Sequence, residues 1–173
     1  KVFAADIFPD APFVFGLDFG YSNDPTALVK CARVGPALYG QQMLYERGLS
    51  DARLAAKMLA AGVSYYDKIV ADPADPKAID ALRDEGFWVE AAEKGPDSIA
   101  FGIERINSFE GGVYLCGESP DWWTERENYV WQKQKKSGKY TNRPTDGWNH
   151  CWDAFRYAVT DLTTNGNGIL ASG

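Results

Sequence analysis

Strict alternation opens the patterned part of the chain. Phe13, Phe15, Leu17 and Phe19 fall on one side of an extended segment, with Gly16, Asp18 and Gly20 on the other. The turn formers Ser22-Asn23-Asp24-Pro25 lead into a second strand from Thr26 to Val34, and Gly35-Pro36 reverses the chain into a third from Leu38 to Arg47. These three predict an antiparallel meander. Ser50 caps a helix carrying Leu54, Met58 and Leu59 at helical spacing until Gly62 stops it. Beyond it, short apolar runs alternate with helical patterns. Lys68 to Asp72 reads as a buried strand ending on an acid, and Asp75-Pro76 starts a helix that runs through Leu82 and ends by Gly86. Phe87-Trp88-Val89 is a further strand, Ile99, Ile103 and Ile106 mark a helix, and Val113 to Cys116 a strand. Ser119-Pro120 opens a helix bearing Trp122, Trp123, Tyr129 and Trp131, and a last helix carries the stripe Trp152, Phe155, Val159, Leu162. A meander followed by such alternation predicts an α/β fold: one mixed sheet, its later strands parallel, with helices on both faces.

In sheets of this kind sites form at the carboxyl ends of the strands, where Asp72 and the late Asp18 both stand. The glycines around Asp18 leave room for something bulky and charged to approach the acid, although an edge strand with a bulge would carry the same residues. A third acid, Asp153, lies beside the buried stripe of the last helix, with His150 and Tyr157 about one turn away on either side. A lone buried carboxylate is costly, so Asp153 needs a partner. A salt bridge to Arg156 is one answer; a metal is preferred here on the ground that neighbouring helix positions point apart. His150 reads as a satisfied core imidazole or, with Asp153 one turn on, as a metal ligand or proton-transfer group. Between Gln132 and Pro144 the cations Lys133, Lys135, Lys136, Lys139 and Arg143 crowd a stretch punctuated by Gly138. It is an exposed hairpin or loop: a solvated charge run, or a phosphate-gripping arm with Tyr140 available for stacking. Lys94 and Ser98 begin a helix whose N–H groups could meet a phosphate or simply be capped. Glu125 and Glu127 read as solvent charges.

Composition narrows the field. The 173 residues suit one domain, and a 14% aromatic share fills its core. The net charge of -6 argues against a broad surface coating nucleic acid, while allowing a local basic cluster. Cys31, Cys116 and Cys151 lack the spacing of a zinc site or disulfide framework, which points to a reducing, intracellular setting. No apolar run is long enough to span a bilayer and no signal peptide is seen, so no membrane partner is expected. The opening on Lys1 and the prolines up to Pro12 suggest residues 1–12 as linker from an absent domain, 13–163 as the folded unit and 164–173 as a flexible tail.

The segments Gly16 to Tyr21, Ala71-Asp72-Pro73-Ala74, Lys94 to Ile99, Glu127 to Trp131 and Asn149 to Tyr157 resemble, in order and register, the C-terminal nuclease domain of tailed-phage terminase large subunits. The likeness runs from about Val14 to about Thr160; Pro73 departs from the small polar residue expected there and leaves open whether Asp75 joins the site. The resemblance implies a ribonuclease-H-like fold and a metal-dependent endonuclease that cuts concatemeric double-stranded DNA. It implies Asp18, Asp72 and Asp153 as metal-binding carboxylates, with His150 a close neighbour, and Mg2+ or Mn2+ as cofactor. Oxygen ligands suit such ions, and two of them about 4 Å apart can activate water and stabilise a leaving oxygen, with Asp18 bridging both. It further implies a packaging ATPase domain on the same polypeptide, the portal and small terminase subunit as partners, and the host cytoplasm as location. Two other readings stay open: a catalytically inactive DNA-binding or motor-docking module, and an actin-like or sugar-kinase-like nucleotide-binding domain sharing the Asp-Phe-Gly turn.

Overall fold

A computed structural model describes residues 1–21, 23–93, 95, 97–129 and 147–164, together with the backbone of 131–133 and 140–144. Among the described residues the meander is formed by β2 (Phe13–Asp18), β3 (Pro25–Val34) and β4 (Ala37–Arg47), all antiparallel. On one flank β5 (Ile69–Ala71) runs parallel to β2, and β6 (Val89–Ala91) parallel to β5. On the other, β7 (Gly112–Cys116) runs parallel to β4 and β1 (Val2–Phe3) parallel to β7. The seven strands stand in the order β1-β7-β4-β3-β2-β5-β6. This is the mixed sheet expected from the alternation.

Residues expected to be linker take part in it. Val2 and Phe3 pair with Leu115 and Cys116, Phe3 is buried, and Ala5–Ile7 form a short 3-10 helix.

Two layers of helix cover the sheet, and the alternation along β2 decides which residue meets which layer. Phe15 and Leu17 pack with Leu54 and Met58 of α1 (Asp51–Ala60) and with Ile79 and Leu82 of α2 (Pro76–Asp84). Val14 packs with Ala154, Phe155 and Ala158 of α5 (His150–Thr164). Both helices of the first layer start on the caps read from sequence: Ser50 accepts from the Arg53 N–H and Asp75 from the Ala78 N–H. Leu59, expected in the α1 stripe, is exposed; Leu54, Ala55 and Met58 form the buried face.

Two boundaries differ from expectation. The strand expected at Phe87-Trp88-Val89 begins only at Val89, because Phe87 turns into the core while Trp88 stays half exposed. The helix α4 (Pro120–Asn128) ends before Tyr129, whose backbone is extended, and Trp131 belongs to β8 (Trp131–Lys133). Aromatic residues favour a strand there over another helical turn. Between α2 and α4 lies α3 (Ser98–Asn107), and β8 pairs antiparallel with β9 (Tyr140–Pro144) within the stretch expected as an exposed hairpin or loop, whose residues 134–139 lie outside the described residues. Among the described residues no helix is long and apolar enough to cross a membrane, and the three cysteines are buried free thiols.

Candidate metal centre

Parallel pairing of β2 with β5 matches Leu17 to Ala71, so Asp18 and Asp72 emerge side by side at the carboxyl ends of neighbouring strands. The Asp72 N–H donates to the Leu17 carbonyl at 2.9 Å and closes this end of the ladder. Across them lies α5. A Cβ on Gly16 would stand 1.8 Å from the Ala154 carbonyl oxygen, so the helix rests on β2 backbone to backbone at this point. The room beside Asp18 that the glycine suggested for a ligand is therefore filled by α5. Gly16 serves the site by letting the helix that carries His150 and Asp153 come this close.

His150 and Asp18 meet: the imidazole Nδ1 donates to Asp18 Oδ2 at 2.9 Å, both side chains being almost wholly buried. Asp18 is raised to about 6, chiefly by burial; the His150 hydrogen bond works against the rise, while the charges of Asp153 and Asp72 add to it. For His150 burial opposes protonation, but the bond and charge of Asp18 together with Glu125 raise it above its ordinary value. The Tyr157 hydroxyl is pushed up by burial and then by Asp18, Asp153 and Asp72 in turn. The charges of Asp153 and Asp72 thus reach Asp18, and all three acids reach one phenol, which places them in a single electronegative region.

Within that region each carboxylate has a donor of its own. Asp72 Oδ1 accepts from the Ala74 N–H at 3.0 Å. Asp153 Oδ2 accepts from Asn149 at 2.8 Å, and Oδ1 from the Arg156 guanidinium at 2.9 Å. The pair with Arg156 is thus made, against expectation, because residues three apart on a helix share a face. Among the described residues no three His, Cys, Asp or Glu side chains are grouped closely enough to hold an ion as they stand. Like charges that repel one another settle on nearby donors instead. Asp75 is committed to capping α2, its Oδ1 accepting from the Ala78 N–H at 3.1 Å.

Glu125 departs furthest from its expected role. It is fully buried on α4 rather than solvated, accepting from the N–H groups of His150 and Cys151 and from the Tyr45 hydroxyl. Burial pushes it up to about 7, against the pull of these donors. A signal was present in its position three residues after the buried Trp122, on the same helical face. Glu127 is exposed, as expected. Of the cations assigned to DNA, Lys94, Lys135, Lys136 and Lys139 lie outside the described residues, while Lys133 and Arg143 fall on the backbone of β8 and β9. Ser98 opens α3 behind Asp97, which adopts a left-handed backbone with φ of 63°.

The family model described as the terminase RNase-H-like domain matches residues 18–161, the span from Asp18 into the last turn of α5. The chain belongs to the terminase RNase-H-like domain family. Its relatives in that family include the terminase large subunit of Bacillus phage SPP1, 33% identical over 147 residues that make up 83% of this chain and 34% of that protein. The PBSX phage terminase large subunit of Bacillus subtilis strain 168 is 28% identical over 156 residues, 86% of this chain and 34% of its own. The chain thus spans about a third of the length of these large subunits. Among solved structures, the SPP1 large terminase nuclease domain with bound Mn matches with a TM-score of 0.78 and 30% identity over 92% of this chain and 94% of that one. The P22 large terminase nuclease domain shares the fold, with a TM-score of 0.70 at 15% identity over 90% of this chain and 84% of that one.

Proposed function

We propose that this domain is a metal-dependent endonuclease that cuts double-stranded DNA, as the nuclease part of a viral genome-packaging large terminase. The observation that carries the reading is the pairing of β2 with β5, which sets Asp18 beside Asp72 under the start of α5, where His150 and Asp153 lie. The SPP1 nuclease domain, which shares this fold at 30% identity, carries bound Mn.

In their chemistry, though not in their present spacing, the donors suit a hard divalent ion. Three carboxylates supply the oxygens that Mg2+ and Mn2+ take, and their mutual repulsion is relieved by positive charge. His150 Nε2, buried and without a hydrogen-bond partner among the described residues, adds a softer donor that suits Mn2+. Asp18, Asp72 and Asp153 would hold two ions, with His150 at their margin. Such ions, when bound, supply an activated water and stabilise the leaving oxygen of an in-line displacement at phosphorus.

The chain's own groups do the rest. His150 orients Asp18 through Nδ1, and Arg156 and Asn149 hold Asp153. The burial of Asp18 strengthens its interaction with a cation. Lys94, Lys133, Lys135, Lys136, Lys139 and Arg143 would grip the phosphate backbone with little regard to sequence. A packaging ATPase domain on the same polypeptide, the portal and the small terminase subunit would be its partners, in the host cytoplasm.

Supercoiled plasmid incubated with Mn2+ tests the reading. The expected result is nicked and then linear DNA, with none when metal is chelated. Plasmid left intact at every metal concentration would mark a DNA-binding or motor-docking module instead.

A further inference from the structure

The first turn of α5 is held from outside its own helix. Glu125 on α4 is fully buried; its Oε1 accepts from the His150 N–H at 2.9 Å and from the Tyr45 hydroxyl at 3.0 Å, and its Oε2 accepts from the Cys151 N–H at 2.9 Å. These N–H groups are among those a helix leaves unpartnered at its start, where a carboxylate also meets the positive end of the helix dipole. Asn149, directly before the helix, is otherwise engaged: its Oδ1 accepts from the Gly147 N–H at 3.3 Å and its Nδ2 donates to Asp153. The segment bearing both His150 and Asp153 is therefore anchored by a residue of another helix. Tyr45, from β4, has a double part: it ties down Glu125 and sets its ring edge-on to the His150 imidazole, 6.4 Å between centroids at 67°. Beyond that imidazole lies Asp18, so four elements meet along one line of contacts.

We propose that Glu125 is a positioning residue of the nuclease site, holding the start of α5 so that His150 reaches Asp18 and Asp153 stays within range of the other acids, with Tyr45 orienting its carboxylate. The proposal rests on the reading of the site as a metal-dependent nuclease. Burying a carboxylate is costly unless its oxygens are met, and here three donors meet them. Packing alone would be served by an apolar side chain of the same size.

The single histidine of the chain makes the test direct, because its ring gives one set of resonances in the NMR spectrum. Glu125→Gln keeps the size but turns one acceptor into an NH2 that cannot accept from a backbone N–H. The variant should fold cooperatively, with the His150 ring resonances shifted and the Nδ1 proton signal of its bond to Asp18 broadened or lost. Its kcat for Mn2+-dependent plasmid cleavage should fall by about tenfold or more with KM for DNA within about twofold, since misplacing a reacting group costs rate rather than binding. Tyr45→Phe should move both readouts the same way by about threefold. Leu54→Ala, which opens a cavity in the opposite core, should leave the resonances and kcat as in the wild type below its unfolding transition.

Wild-type resonances and a kcat within about twofold for Glu125→Gln would overturn the proposal. So would an equal loss of kcat in Leu54→Ala at the same folded fraction, which would make the effect one of stability alone. If Glu125→Gln fails to fold, Tyr45→Phe decides by the same two readouts. If the wild type cuts no DNA, the nuclease reading fails, and the His150 resonances alone decide whether Glu125 positions the imidazole.

Discussion

The two faces of the central sheet are built from the same strands and do different work. Toward α1 and α2 the sheet presents Phe15, Leu17, Leu28 and Ile69, which meet Leu54, Met58, Ile79 and Leu82 in a core of apolar side chains. Toward α5 it presents Val14, Ala27 and Val29, which meet Phe155 and Ala158, yet Asp18, His150, Glu125 and Arg156 are buried on this side too. Along β2 neighbouring residues belong to opposite regimes: Leu17 is pure packing and Asp18 is a buried acid pushed up to about 6. The contrast teaches that the α1/α2 face supplies stability, whereas the α5 face gives some up to gather charge.

That division predicts opposite outcomes for changes on the two faces. Asp18→Asn, Asp72→Asn and Asp153→Asn should each lower plasmid cleavage by about a thousandfold or more while unfolding stays cooperative, because no neutral amide replaces a hard anionic ligand. For Asp18→Asn the metal-free melting temperature should hold or rise at pH 7.5, since the burial of a charge is relieved. A variant that still cuts at a near-normal rate would remove its residue from the site.

Gly16→Ala comes next, as it breaks the boundary between the faces. Its methyl would collide with the Ala154 carbonyl, a backbone atom, so α5 must lift away. A loss of about 3 kcal/mol in denaturant unfolding is expected, together with loss of cleavage, at the upper end of what overpacking costs. Leu54→Ala should cost a similar amount, about 3 kcal/mol, but leave cleavage intact below its unfolding transition. If both variants lost activity in proportion to stability, the division between the faces would be wrong.

A smaller effect concerns pH. Asp18 and Glu125 are raised in the folded protein, to about 6 and about 7, and His150 is raised as well. Between the ordinary values and these, the folded form holds more protons than the unfolded one, so this contribution to stability falls as pH climbs from about 4 to past 7. Thermal scans of the metal-free protein should show that decline. Asp18→Asn and Glu125→Gln together should flatten it, whereas Leu54→Ala should leave its slope unchanged.

Much of the stability face was legible along the chain. The meander, the caps at Ser50 and Asp75, and the short strands between helices follow from alternation and turn chemistry, which are local. That Asp18 and Asp72 both stand at strand ends was legible too, whereas their being neighbours depended on β2 pairing with β5, a long-range contact that local pattern does not specify. The charged face was harder to read. Gly16 looked like room for a ligand, since one residue's missing side chain does not say whose backbone fills the space. Glu125 looked solvated because its three partners lie on β4 and α5, far along the chain. The Asp153–Arg156 pair was within reach of sequence, since a spacing of three places both on one face.

The most direct test is whether the α5 face gathers divalent ions. Melting temperatures should be measured at pH 7.5 across a Mn2+ titration for the wild type and Asp18→Asn. If the acids converge on a cation, only the folded wild type binds it, and a hundredfold excess over Kd should add about 2.7 kcal/mol, a shift of several degrees. Asp18→Asn should show little of this. A flat wild-type titration at millimolar Mn2+, or an equal rise in both proteins, would contradict the account.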